Sequence, residues 1–409
     1  MRRIPALALL VALAACARGE SDQQVRSSAA GEGSEIPGVE VPEVPDVDVP
    51  EIPEPQPQPE AEPVPTTSST TAPPSDPPPA PRVQTCGPVT LFALGTPGGR
   101  PSGVAAGDGG SVWFTDQATS SIGRLDPDGT ETRFPLPPGS QPHSIARGPD
   151  GAMWYTDAAD RHRDPSAVAS IGRVTPSGEV TEFDLPTQES NPMGGTGAGS
   201  APAGITAGPD GAMWFAEAMA DQVGRITPDG VITEFPLPRR DRMHANPVGI
   251  TAGPDGAVWF GEPLFGMLAR IDVHTHAITE FELPHHDNGL VGANTLTSGP
   301  DGALWYEDPG GSAIGRVSTS GKVRSFPLPS YRWPWALTAG PDGNLWFLET
   351  SVGRLVRMTP EGAFTDWAAP AEAAGIGVGS STQIAFASDG AVWFAAPSGN
   401  RVGRVACTG

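Results

Sequence analysis

Positive charge is scarce in this chain. Lys322 is its one lysine, and 25 Lys and Arg face 47 Asp and Glu, a net charge of −22. Nucleic acid and anionic lipid head groups are therefore poor partners, because phosphates are held by cations that displace their counterions. Long apolar runs are missing too. The longest, Ile4 to Ala15, is too short to span a bilayer. No segment between 102 and 409 carries a helical period of apolar residues, which argues against an α-helical domain. Cysteine is limited to Cys16, Cys86 and Cys407.

Tryptophan, by contrast, recurs. Trp113, Trp154, Trp214, Trp259, Trp305, Trp346 and Trp393 lie 41, 60, 45, 46, 41 and 47 residues apart. Each sits in the same phrase: a Gly-Ile-Thr-Ala-like strand, a Gly/Pro/Asp turn, a Trp-aromatic strand, an Ile-Gly-Arg-Val strand and a Thr-Glu-Phe-Pro-Leu strand. Pro fixes φ and Gly accepts φ > 0 in the turn. Such a period predicts an all-β, seven-bladed propeller of four-stranded blades. Pro135, Pro236 and Pro327 cannot donate to a ladder, which puts the fourth strand at the outer edge. The last unit stops one strand short. Val89 to Leu94 has the missing pattern, so the N-terminal strand is expected to complete the last blade. Cys86 and Cys407 would then face each other within disulfide reach. That bond would close a loop of about 320 residues, near the top of the roughly 3–5 kcal/mol range for loop closure.

The chain opens with Met1-Arg2-Arg3, an apolar run and Leu13-Ala14-Ala15-Cys16, the pattern of a signal peptide (1–16). Its end resembles a bacterial lipoprotein lipobox, which implies lipidation at Cys16 and an extracytoplasmic chain anchored to the membrane by that lipid alone. Residues 17–85 hold 16 prolines and 13 acidic side chains against three arginines. They cannot bury a core and are expected to be a disordered tether, reaching on the order of 200 Å if fully polyproline II. The propeller is expected over 86–409, as a monomer.

The strings Gly-Ile-Thr-Ala-Gly-Pro-Asp-Gly-Ala-Met-Trp-Phe-Ala-Glu (204–217) and Gly-Arg-Ile-Thr-Pro-Asp-Gly-Val-Ile-Thr-Glu-Phe-Pro-Leu-Pro (224–238) resemble the streptogramin (virginiamycin B) lyase family, over 88–409. That resemblance implies a seven-bladed propeller that opens a cyclic depsipeptide by elimination with Mg²⁺. It also implies a catalytic Pro-His in blade six, a Glu-Pro-His in blade seven and a Glu after the Trp strand of blade seven. Here Trp335 stands at the first His, Ser380 and Thr382 at the Glu and His, and Pro397 at the last Glu. Elimination needs a positioned base and an electrophile, and these side chains supply neither. Gln141-Pro142-His143 in blade two is the one Pro-His of this kind, which leaves His143 as either a ligand-face residue or an ordinary rim histidine.

Six second strands end in a carboxylate: Asp116, Asp157, Glu217, Glu262, Asp308 and Glu349. Third-strand arginines follow at Arg124, Arg173, Arg225, Arg270, Arg316 and Arg357, five of them eight residues on. An antiparallel hairpin would oppose them as repeated ion pairs. Loops on that face are the other candidates. His244 follows Arg239-Arg240-Asp241-Arg242-Met243. His285, His286 and Asp287, with Glu262, offer a ligand set for Zn²⁺ or a similar divalent ion. Arg332, Trp333 and Trp335 offer stacking for a sugar, ring or peptide, or else cap the channel. His143, His244 and Glu262 are the catalytic candidates; His285, His286, Arg332, Trp333 and Trp335 are the ligand-binding ones. The insertion Asp160-Arg161-His162-Arg163-Asp164-Pro165 and the stretch 189–203 would form a lid or be tolerated extras. The leading expectation is a binding module for a small molecule, glycan or envelope protein. A lyase or hydrolase with a relocated, metal-dependent site and an envelope scaffold are the alternatives.

Overall fold

A Gly/Asp-rich turn, Pro-Asp-Gly in blades two to six, followed by tryptophan explains each blade. In the computed structural model, which describes residues 85–160, 163–164, 166–187, 200–238, 244–286, 292–328, 333–349, 354–368 and 383–408, blade three shows the pattern. Its strands run Pro202–Ala207, Met213–Glu217, Gln222–Ile226 and Ile232–Pro236, ordered from the inside out. Gly211 takes φ 76° to close the first turn, and Gly208 N donates to Ala212 O at 2.8 Å. Asp210 then holds three donors: Ala212 N at 3.4 Å, Trp214 Nε1 at 2.9 Å and Arg225 Nε at 2.6 Å. Charge-assisted bonds of this kind contribute about 1.5–3 kcal/mol each when shielded from water.

That arrangement corrects the expected ion pairs. Register opposes Trp214 to Arg225 and Glu217 to Gln222, so the arginine lies three positions from the strand-end carboxylate. Its partner is the turn aspartate. The same holds for Arg173–Asp150, Arg270–Asp255, Arg316–Asp301, Arg357–Asp342 and Arg404–Asp389. Eight residues along the chain measured the hairpin, not the side-chain contact.

Seven four-stranded antiparallel sheets are present. The core lies between blades. Each marker tryptophan packs on the aromatic of the following blade: Trp113 with Tyr155, Trp154 with Phe215, Trp214 with Phe260, Trp259 with Tyr306, Trp305 with Phe347 and Trp346 with Phe394. Trp393 packs on Phe114 of blade one and closes the ring. In blade three the third-strand glycine makes room for the ring: a Cβ on Gly224 would come within 2.0 Å of Phe215, whereas blades four and six carry Ala269 and Val356 at the same place.

The last blade is completed from the front, as expected. Thr85–Ala93 pairs antiparallel with Arg401–Thr408, with Cys86 opposite Cys407. Phe92 stacks on Trp393 at 5.5 Å, the place Phe134, Phe183, Phe235, Phe281 and Phe326 take against their own tryptophans. The Cys86–Cys407 disulfide spans a sequence separation of 321. The signal peptide and the tether up to residue 84 lie outside the described residues.

Candidate functional site

The loops from fourth to first strands and the second-to-third turns share one face of the ring. There the six strand-end carboxylates are buried. Three act as latches for the chain entering their own blade. Asp116 accepts Arg100 N at 2.9 Å and Arg133 at 2.7 Å. Asp157 accepts Gln141 N at 2.7 Å and Ala159 N at 2.9 Å. Asp308 accepts Gly311 N and His286 Nε2, both at 2.9 Å. Glu217 is different. Gln222 donates to one of its oxygens at 3.2 Å while Oε1 is buried and unpaired. Burial, then the nearby Glu234 charge, pushes its carboxyl up to about 8.

Glu307 was missed from sequence. It lies two residues after Trp305, a position held by Thr115 and Thr156 in blades one and two. Those hydroxyls donate to His143 O and Ala203 O of the following blade, each at 2.8 Å. Glu307 instead accepts the Thr295 hydroxyl, and Leu337 N donates to Thr295 Oγ1 at 3.2 Å. Its Oε2 is buried and unpaired. Burial raises its carboxyl to about 8, against the lowering effect of Thr295 and the Ala336 and Leu337 amides. Its signal in the sequence is slight: it is the one charged residue at that place among seven blades.

His143 is half-buried, with Nδ1 shielded and unpaired, and burial pushes its pKa down to about 4. It is a neutral imidazole at pH 7. Around it Gln383 of blade seven reaches past blade one: its amide donates to Ser144 Oγ at 3.0 Å and accepts Ile145 N at 3.3 Å. Gly103 makes this crossing possible, since a Cβ there would stand 2.7 Å from Gln383 Oε1.

Two of the loop histidines, His244 and His286, are tied to a carboxylate. His244 Nδ1 lies 2.5 Å from Asp221 Oδ2, while Asp221 Oδ1 accepts Ala245 N at 2.9 Å and Asn246 N at 3.2 Å. His286 sits on Asp308, and His285 is exposed. Asp287 and Arg332 lie outside the described residues, as do Ser380 and Thr382. Among the described residues no three His, Cys, Asp or Glu side chains gather into a metal-holding group. Nor do the latched carboxylates compose an Mg²⁺ site, which needs oxygens arranged octahedrally around one point: Asp116, Asp157 and Asp308 are spent singly on three blades.

The two loop tryptophans part company. Trp333 is 42% exposed. Trp335 is the second residue of the first strand of blade six, Pro334–Ala339, and packs half-buried on the core between blades six and seven. Its Nε1 is shielded and unpaired. In the blade-two insertion, Arg163 donates to Gln117 O of blade one at 3.1 Å and pairs with Asp160 at 3.2 Å; Arg161, His162, Pro165 and 188–199 lie outside the described residues.

Comparison with known proteins bears on the whole ring. The model of the virginiamycin B lyase family matches residues 80–245, 196–331 and 241–409. A virginiamycin B lyase of Nocardia farcinica is 34% identical over 165 residues, 40% of this chain and 50% of that protein, so the chain spans about half the length of this curated relative. Among solved structures, the virginiamycin B lyase of Staphylococcus aureus is 31% identical with a TM-score of 0.66, covering 78% of this chain and 98% of that one. A catalytically inactive histidine-to-alanine variant of the Staphylococcus aureus enzyme, solved with quinupristin, is 32% identical with a TM-score of 0.64 and the same coverage.

Proposed function

This chain belongs to the virginiamycin B lyase family, and from that premise we propose that it is a binding module for a macrocyclic peptide or depsipeptide on its loop-rich face. The observation that carries this reading is Trp335. Where the resemblance puts a catalytic histidine, an indole packs into the core between blades six and seven, with the exposed Trp333 beside it. An indole offers a flat apolar surface and one N–H donor, which suits stacking and not proton abstraction. The lipobox at Cys16 and the disulfide support an extracytoplasmic, lipid-anchored setting, in which the ring would meet ligands outside the cytoplasm.

A second reading is a lyase with a relocated site. It is favoured by one observation: His244–Asp221 and His286–Asp308 are imidazole–carboxylate pairs, the arrangement that orients a general base. Titration with quinupristin, followed by intrinsic tryptophan fluorescence, tests the first reading. Saturable quenching that is lost in Trp333→Ala and kept in the double variant His244→Gln, His286→Gln supports binding on the indole. Quenching absent from the wild type would remove it.

A further inference from the structure

The face opposite these loops carries a site of its own, in blade one. In blades two to six the turn aspartate accepts the tryptophan indole N–H, at 2.9–3.1 Å. Its second oxygen meets the third-strand arginine at 2.5–2.8 Å in blades two to five, and the turn aspartate of blade seven meets its own arginine at 2.6 Å. The fold thus builds a carboxylate slot between an indole and a guanidinium in blade after blade. Blade one keeps both walls, Trp113 and Arg124, with the guanidinium 5.9 Å above the ring as elsewhere. It lacks the carboxylate. Its turn reads Gly107-Asp108-Gly109-Gly110, so Gly109 stands where the aspartate belongs.

Asp108 does not compensate, because it turns outward to Arg147 at 2.7 Å. The nearest carboxylate to Arg124 is Asp126, at 3.5 Å, beyond the 2.7–3.2 Å of a good N–H···O bond. Arg124 Nε is buried without a hydrogen-bond partner. Ser111 Oγ, which donates to Asp108 O at 2.7 Å, stands near Gly107 where the other blades place an aspartate oxygen, and beside it opens a cleft of about 210 Å³, lined by Ser111, Trp113, Arg124, Gly151 and Met153. A buried guanidinium N–H left unpaired beside a cavity is costly, and an acceptor entering the cavity relieves it.

We propose that this cleft takes the carboxylate of a small organic acid or of a peptide C-terminus. One oxygen would accept the Trp113 indole N–H and the other the Arg124 guanidinium, reproducing what Asp150, Asp210, Asp255 and Asp301 do in their own blades. Asp108 and Asp126 line the mouth and oppose anion entry, so the interaction is weak and favours a single negative charge over a dianion such as phosphate. The site is separate from the loop-rich face and stands or falls independently of the function proposed there.

The test uses the full chain labelled with ¹⁵N, reading the indole N–H signal of Trp113, assigned by its disappearance in Trp113→Phe. Propionate is expected to shift that signal saturably, while chloride at equal ionic strength leaves it in place. Two variants remove the response: Arg124→Gln, and the double substitution Asp108→Pro with Gly109→Asp, which writes the missing aspartate back. Should the restored turn fail to fold, Arg124→Gln alone carries the comparison. Acetyl-Ala-Ala and its C-terminal amide separate the two sources. Shift by the peptide acid and not its amide, at lower concentration than propionate, identifies a C-terminus; a stronger response to propionate identifies a free acid. A Trp113 signal unmoved by both acids, or moved equally in Arg124→Gln, overturns the proposal.

Discussion

Replacing Glu307 by glutamine should stabilise the ring at pH 8 and destabilise it at pH 5. Glu307 is fully buried, its Oε2 has no partner, and its carboxyl is raised from 4.5 to about 8. A carboxyl whose folded pKa is raised contributes its full stability below the unfolded value. That contribution is lost as pH climbs from about 4.5 to about 8, because the unfolded chain releases the proton first. At about 1.4 kcal/mol per pKa unit, the wild type forfeits on the order of 4 kcal/mol through this one group. Glutamine keeps the acceptor for Thr295 and the amides but carries no charge to desolvate. It also brings an NH₂ to the unpaired Oε2 position, which costs about 1–3 kcal/mol at every pH. The net expectation is a variant less stable than wild type by about 1–2 kcal/mol at pH 5 and more stable by about 2 kcal/mol at pH 8. Urea unfolding at the two pH values reads this directly. Glu182 and Glu217 have raised pKa values as well, so the difference between variant and wild type is the informative quantity. Equal losses in both proteins from pH 5 to pH 8 would refute the reasoning.

Other expectations follow from the same contacts. Cys86→Ser with Cys407→Ser should cost up to about 5 kcal/mol, since the bond closes a loop of 321 residues; thermal unfolding with and without reductant checks it. Trp335→Ala should destabilise by about 3 kcal/mol through the lost core contact, whereas Trp333→Ala should stay within about 0.5 kcal/mol, as calorimetry of both variants would show. Asp210→Ala strips partners from Trp214 and Arg225 and should cost about 2–3 kcal/mol in urea unfolding. Gly103→Ala forces Gln383 off its bridge between blades two and seven, with about 1–3 kcal/mol lost on the same assay.

The ring was legible because its causes are local. Pro-Asp-Gly sets the turn in blades two to six, tryptophan marks each second strand, and the orphan pattern at Val89 to Leu94 names its partner by matching the fourth-strand phrase. Pairing across two turns was not legible. Arg225 meets Asp210, which the sequence separates by 15 residues, because both lie over Trp214, and spacing counted from Glu217 missed the shared ring. Trp335 and His143 show the same limit from the other side. Trp335 packs on the blade-seven core and the His143 imidazole meets the Ala203 backbone of blade three, and a motif comparison within one blade contains neither. Glu307 was visible only as a charge where other blades place Thr, Ala, Gly or Leu. The empty carboxylate slot of blade one, by contrast, can be read back from the sequence once Asp210 has shown what the turn aspartate does.

The central claim is that the loop-rich face holds its ligand without opening it, and one incubation tests it. Quinupristin is mixed with excess protein and Mg²⁺, extracted, and followed by liquid chromatography with mass detection while a parallel sample reports binding by fluorescence. The expected result is saturable binding with the peptide recovered at unchanged retention and mass. A new peak of equal mass and altered retention is what eliminative ring opening produces, and one heavier by a water is what hydrolysis produces. Either peak, lost in the His244→Gln, His286→Gln variant, would contradict the account and establish the relocated enzyme site.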